Sequence, residues 1–253
     1  MKKLPPIIEV LETMQRLFED YPLTELEYAT PFQCLIAVLM SAQTTDIQVN
    51  KVTKELFKKI RWPQDVLDMG EKKLWELIRT VGLWTSKRNN IMKTSRILVD
   101  KTESLQWTKP KGERINTAQA KKMSSEKEEC IYASSKEVFQ EHGYYLPDTI
   151  QWMTELPGVG VKTAKVVLYV LYRQNRIAVD THVHRVMNRL WYIDTKYPDK
   201  SSDLLEEMIP DSHKGIAHHS IIYFGRYLCK AKKPECERCP LQEVCKWYKE
   251  NGI

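Results

Sequence analysis

Helical periodicity governs this chain from end to end. Apolar residues recur three and four positions apart in almost every segment, as in Ile7, Val10, Leu11, Met14, Leu17 and Phe18, while alternating strand-like runs are nearly absent. An all-α fold follows. Helices are predicted over residues 31–41, 45–60, 71–79, 86–99, 136–142, 148–155, 162–173, 181–192, 202–209 and 213–228. Turn signals at Trp62-Pro63, Val81-Gly82, Leu146-Pro147-Asp148, Leu156-Pro157-Gly158, Tyr197-Pro198-Asp199 and Ile209-Pro210-Asp211 punctuate them. Such short connections imply a packed helical array. A chain of 253 residues with 42% hydrophobic content buries a proper core without disulfide staples.

Residues 101–136 interrupt this order. They are rich in Lys, Glu, Ser, Thr and Gln, with few large apolar side chains beyond Leu105, Trp107, Ile115 and Ile131. A connection this long exceeds the usual limit of about 12 to 15 residues, so it is either a functional appendage or, as the composition favours, a mobile insert. Its basic residues outnumber its acids, which suits a weak, salt-sensitive contact to a polyanion.

Charge and apolar runs bound the partners. Lys and Arg exceed Asp and Glu by 39 to 33, a net +6 that fits a polyanionic partner but also many ordinary soluble proteins. Pro5, Pro6, Glu9 and Glu12 interrupt any apolar signal-peptide core, and the longest apolar run, Leu35 to Met40, is far below the roughly 20 residues of a membrane helix. A cytoplasmic protein without a membrane partner is expected, in a compartment where thiols stay reduced and available as ligands.

Four of those thiols share seventeen residues: Cys229-x6-Cys236-x2-Cys239-x5-Cys245. Four thiolates are what a cubane cluster needs. Zinc ribbons, the alternative, hold two Cys pairs apart by about 15 to 20 residues, whereas here only one pair has the two-residue spacing. The pattern favours iron and sulfur. Cys34, inside an apolar run, reads as core, and Cys130 as a free thiol in the insert. Arg226, Lys230, Lys232, Lys233 and Arg238 surround the ligands; a rigid loop holding cations outward grips phosphates, and the bland reading of each one alone is a solvated basic face.

A second motif, Leu156-Pro157-Gly158-Val159-Gly160-Val161-Lys162-Thr163-Ala164, runs into an apolar-periodic helix. Its glycines permit a tight turn and close backbone approach, so amides at the helix start can point at a phosphate. This is a helix-hairpin-helix signature. A phosphate-loop NTPase is excluded, because Val161 separates Gly160 from Lys162 and no strand precedes the turn. Residues 78–83, followed by Lys87, echo residues 156–161, followed by Lys162, so two hairpins are expected in one domain.

Lys162 stands in the first turn of its helix, where the positive dipole end disfavours an ammonium and favours the neutral, nucleophilic amine; burial would add to the effect. Eighteen residues on, Ala178-Val179-Asp180-Thr181-His182 sets an acid just before the next helix. Asp180 is either a helix cap or a partner in the chemistry of Lys162. His182 and His184 are two apart, a spacing that does not put both on one helical face for a metal.

Taken in order, Ser41-Ala42-Gln43-Thr44-Thr45-Asp46, Val81-Gly82-Leu83, Leu156 to Thr163, Ala178 to His182, His218-His219, Gly225-Arg226-Tyr227 and the four cysteines resemble the endonuclease III family over roughly residues 5 to 100 and 137 to 250. The resemblance implies two lobes: a six-helix barrel over 23–174, and a cluster lobe from 1–22 and 175–253, with DNA bound in the groove between them. It implies a monomeric bifunctional glycosylase and abasic-site lyase of base excision repair. Its partner would be double-stranded DNA containing damaged pyrimidines or abasic sites. Lys162 matches the lysine that attacks the sugar C1′, and Asp180 the carboxylate that assists base departure and later proton transfer. Gln43 and Leu83 match residues that fill the space vacated by a flipped nucleotide, and His182 one that lines the lesion pocket. Gly158, Gly160, Lys232 and Lys233 would contact the DNA backbone, and Cys229, Cys236, Cys239 and Cys245 would hold a [4Fe-4S] cluster. A monofunctional mismatch glycosylase shares this fold but, by the same resemblance, lacks a lysine at the Lys162 position; a non-catalytic iron-sulfur DNA-binding protein would leave Lys162 and Asp180 without a task.

Overall fold

The computed structural model describes residues 4–105 and 132–251, and among them every regular element is a helix. The chain divides into two compact units, Thr24–Arg173 on one side and Met1–Leu23 with Gln174–Ile253 on the other.

The Thr24–Arg173 unit is built around α2 (Pro31–Ser41), whose residues Pro31 through Met40 are all buried. Pro31 occupies the first helical position, where its missing N–H costs nothing, and the Thr30 side chain accepts from Gln33 N at 3.2 Å. Phe32, Leu35, Ile36, Leu39 and Met40 each withdraw a full side chain from water, worth about 1.5 to 3 kcal/mol apiece. The one amide among them, Gln33, donates to Phe57 O and Ile60 O and accepts from Ala29 N, so its burial leaves nothing unpaired. Cys34 is fully buried in the same helix.

Around α2 pack α3 (Asp46–Leu56), capped by Thr45, then α5 (Trp84–Ser104) and α8 (Val161–Tyr172). α4 (Pro63–Ile78) lies along α5. It is longer than the 71–79 helix predicted from the sequence. Pro63 starts it rather than ending a neighbour, Asp65 Oδ2 accepts from Arg61 N and Trp62 N, and Gly70 at φ 76° and ψ 162° kinks it where a break was expected. α6 (Ser135–His142) and α7 (Ile150–Thr154) complete the unit.

The expected insert over 101–136 needs correction at both ends. Lys101 to Ser104 are the last turn of α5, with Leu105 N bonded to Lys101 O, and Thr102 Oγ1 accepts from Tyr145 N. Tyr132 is buried, its N–H donating to Leu171 O at 2.8 Å and its hydroxyl 2.7 Å from His142 Nε2. Charged residues on the exposed face of one helix end and the start of another dilute the apolar signal there. The remainder of the segment, including Cys130, lies outside the described residues.

The second unit has its own core. Val10, Leu11 and Met14 of α1 (Ile7–Leu17) join Val183, Val186, Met187 and Leu190 of α9 (Thr181–Leu190) and Leu205 of α10 (Pro198–Met208). Ala217 and Ile221 of α11 (Asp211–Tyr223) complete that layer. The sequence predicts one helix over 213–228, but α11 ends at Tyr223 and Phe224–Leu228 widen into a π-turn closed by Cys229 N to Phe224 O at 2.7 Å. That turn delivers Cys229 to the loop that follows, which ends in α12 (Lys246–Asn251). No described helix is long and apolar enough to cross a membrane.

Candidate active site and metal centre

In the Thr24–Arg173 unit the hairpin turn runs from the end of α7 to Gly160, the residue that caps α8. Leu156 and Val159 are buried and anchor it. Gly158 has φ +81°, and a Cβ there would meet Asn90 Nδ2 at 2.3 Å, so both conformation and space demand glycine. Thr94, one turn beyond Asn90 on α5, donates from Oγ1 to Pro157 O at 3.3 Å. The turn is therefore braced from α5. Lys162 is the second residue of α8 and is exposed rather than buried.

The echoed turn between α4 and α5 holds its lysine differently. Leu83, which caps α5, is 55% exposed with φ 55°, while Lys87 is 3% exposed and donates from Nζ to Thr44 Oγ1 at 2.7 Å. Gln43 is exposed, also with a left-handed φ of 54°. Two similar sequences thus put one lysine at the surface and one inside.

In the second unit Asp180 caps α9: its Oδ1 accepts from His182 N at 2.8 Å and Val183 N at 2.9 Å. Oδ2 lies 3.3 Å from His182 Nδ1, and the His182 side chain remains 30% exposed. Gly225 lets the π-turn close on this helix, since a Cβ there would come within 3.0 Å of His182 Cβ and 3.2 Å of Val186 Cγ2.

The four cysteines line one pocket with Leu190, Phe224, Leu228 and Trp247. Two arginines of α9 tie the loop down. Arg185 donates to Cys229 O and Gly225 O; Arg189 donates to Lys230 O and Ala231 O, approaches Cys229 Sγ at 3.4 Å and stacks on Trp247. Sequence reasoning missed both, although their four-residue spacing puts them on one helical face. Burial pushes the Cys239 thiol up to about 11 and raises those of Cys236 and Cys245, with neighbouring cysteines adding to it. These sulfurs need a bound cation before they act as thiolates. Among the described residues no group of three His, Cys, Asp or Glu could hold a metal ion, yet four thiols share one lining. Four thiols on one lining suit an iron-sulfur cluster, to which each would contribute one thiolate.

Of the basic residues around this loop, Lys230 and Arg238 are tied to Glu235, at 2.5 and 3.0 Å. Lys232 and Lys233 are exposed, Lys233 with φ 50°, and no ion pair engages either among the described residues. Glu235 thus engages two cations of the expected patch and leaves Lys232 and Lys233 outside its ion pairs.

Comparison with known proteins agrees with both halves of this picture. Residues 36–211 match the HhH-GPD superfamily base excision DNA repair protein family, and residues 229–245 match the iron-sulfur binding domain of endonuclease III. The chain is 35% identical to endonuclease III of Escherichia coli (strain K12) over 95% of each protein, and 36% identical to that of Haemophilus influenzae (strain ATCC 51907 / DSM 11121 / KW20 / Rd) over 95% of each. A solved structure of a non-covalent endonuclease III–DNA complex superposes with a TM-score of 0.75 at 35% identity, covering 96% of this chain and 95% of that one. Fold and sequence together define a helix-hairpin-helix base excision DNA repair protein carrying an iron-sulfur domain. Within that class the chain belongs to the endonuclease III family.

Proposed function

We propose that this protein is a bifunctional DNA glycosylase and abasic-site lyase that removes oxidised pyrimidines from duplex DNA and cuts the strand by β-elimination. The observation that carries the reading is Lys162 at the second position of α8, directly after a glycine turn, in a chain 35% identical to an endonuclease III over 95% of its length.

Gly158 and Gly160 allow DNA phosphate to approach the turn, where the start of α8 offers backbone N–H groups and the positive end of its dipole. Lys162 Nζ attacks C1′ of the damaged nucleotide, a C–N bond forms, and the base departs with the electrons of its glycosidic bond. Asp180 assists that departure and takes up the proton the amine releases. The aminal so formed opens as its C1′–O4′ bond breaks, O4′ taking a proton to become a hydroxyl and C1′ becoming the carbon of a Schiff base. This acidifies the C2′ proton, whose removal expels the 3′ phosphate and breaks the strand.

Gln43 and Leu83 fill the space left by the flipped nucleotide, and His182 lines the pocket that receives it. Lys232 and Lys233 meet phosphates. Cys229, Cys236, Cys239 and Cys245 would hold a [4Fe-4S] cluster, which would fix the loop bearing those lysines. Incubation with a duplex carrying one thymine glycol should yield a strand ending in a 3′ unsaturated aldehyde and leave the undamaged duplex whole. Cleavage of both duplexes, or of neither, would overturn the reading.

A further inference from the structure

We propose that Lys87 is a positioning residue that locks the Gln43 loop to the Leu83 loop, so that the two exposed side chains enter DNA as one rigid wedge. The inference rests on the flipping role given above to Gln43 and Leu83 and adds the device that holds them.

Three observations place the loops together. A Cβ on Gly82 would lie 3.1 Å from Gln43 O and 3.4 Å from Thr44 Oγ1, so the backbones meet at that glycine. Gln48 Nε2 reaches Thr80 O and Oγ1 at 3.4 and 3.3 Å. Lys87 Nζ closes the junction on Thr44 Oγ1, one residue beyond Gln43. Gln43 and Leu83 both hold left-handed backbone, which non-glycine residues keep only where their surroundings enforce it.

Lys87 is costly where it stands. Its N–H donates to Leu83 O, so it belongs to the first turn of α5, where the helix dipole opposes a cation. Burial lowers its proton affinity, and among the described residues no carboxylate pairs with it. A hydrophobic residue of similar shape would fill this space at lower cost. What only lysine supplies is the bond to Thr44. Residues that break local rules in this way mark function rather than stability.

A wedge matters only where a base pair must be parted, and this separates a positioning role from a structural one. The variants are Lys87→Met, Thr44→Val, and Thr44→Ser, which keeps the hydroxyl. Each is assayed in single turnover on a thymine glycol paired with adenine, and on the same lesion facing a tetrahydrofuran residue, where no partner base resists. On the paired duplex Lys87→Met and Thr44→Val should each slow excision roughly tenfold or more. Both should also blunt the fluorescence rise of a 2-aminopurine next to the lesion. Facing tetrahydrofuran the loss should stay within about threefold. Thr44→Ser should retain wild-type behaviour, and Lys87→Met should melt no lower than the wild type. Equal losses on both duplexes, or native rates for Lys87→Met on the paired one, would overturn the wedge lock. A wild-type protein inert on both duplexes would instead overturn the activity itself.

Discussion

Asp180 Oδ1 accepts from Val183 N at 2.9 Å, so the acid assigned to base departure is also the cap of α9. The two roles are separable. Asn can still accept at the cap, whereas it cannot take up a proton. Asp180→Asn should therefore unfold within about 1 kcal/mol of the wild type while its single-turnover base release falls by roughly 100-fold or more. Near-native turnover would reduce Asp180 to a cap.

The glycine turn is held by a contact as well as by conformation. Gly158→Ala puts a methyl group 2.3 Å from Asn90 Nδ2 at a φ of +81°. A loss of about 1 to 3 kcal/mol in unfolding free energy is expected, together with weaker DNA binding. Adding Asn90→Ala should recover the part due to the clash and leave the part due to φ. Denaturant titration of the single and the double variant checks this; an unaffected Gly158→Ala would show that the turn can relax.

The thiol loop should carry iron. Purified protein is expected to be yellow-brown with about four irons per chain. Any one Cys→Ser change at 229, 236, 239 or 245 should lower iron content and destabilise the second unit, because the free energy of binding the metal is part of the folding free energy of the loop that holds it. Colourless protein with one zinc and full activity would contradict the assignment.

His142 gives the first unit a pH dependence of defined sign. Burial, helped by Arg61, pulls its imidazole down to about 4 from an ordinary value of 6.5, and Tyr132 OH faces Nε2 at 2.7 Å. Glu141 stands 3.5 Å away, and burial and Glu137 raise its own carboxyl. As pH falls through 6.5 the unfolded chain takes up a proton that the folded imidazole refuses until about 4. Stability from this group is thus whole above that window, declines within it and is lost below it. The share should be about 2 kcal/mol between pH 7 and pH 5. His142→Gln, whose amide can still accept from Tyr132, should show a correspondingly shallower decline; an unchanged decline would remove His142 from the account.

What could be read from the sequence, and what could not, follows from the range of the interactions. The four cysteines, the glycine turn before Lys162 and the Asp180 cap are each set by neighbours within a few positions, so spacing alone exposes them. Lys87 and Asn90 depend on partners 43 and 68 positions away along the chain, and nothing near either residue hints at Thr44 or Gly158. Arg185 and Arg189 look like surface charge until the loop they clasp is in place. The first half of α4 is hidden because Pro63 reads as a turn although it starts the helix, and because Gly70 kinks the helix just before the predicted start at residue 71. The π-turn after Tyr223 has no sequence period of its own, and its purpose, the delivery of Cys229, appears only in three dimensions.

The central claim is that Lys162 forms a covalent Schiff base with the sugar of a damaged nucleotide. Borohydride added during reaction with a radiolabelled duplex containing one thymine glycol tests it directly, because reduction freezes that imine as a stable amine. The wild type should give a protein–DNA adduct that survives denaturing electrophoresis, with Lys162 as the modified residue by mass spectrometry. Lys162→Gln should bind the duplex with little loss and give none. An adduct retained in Lys162→Gln, or base excision by the wild type with no trapped species, would contradict the mechanism.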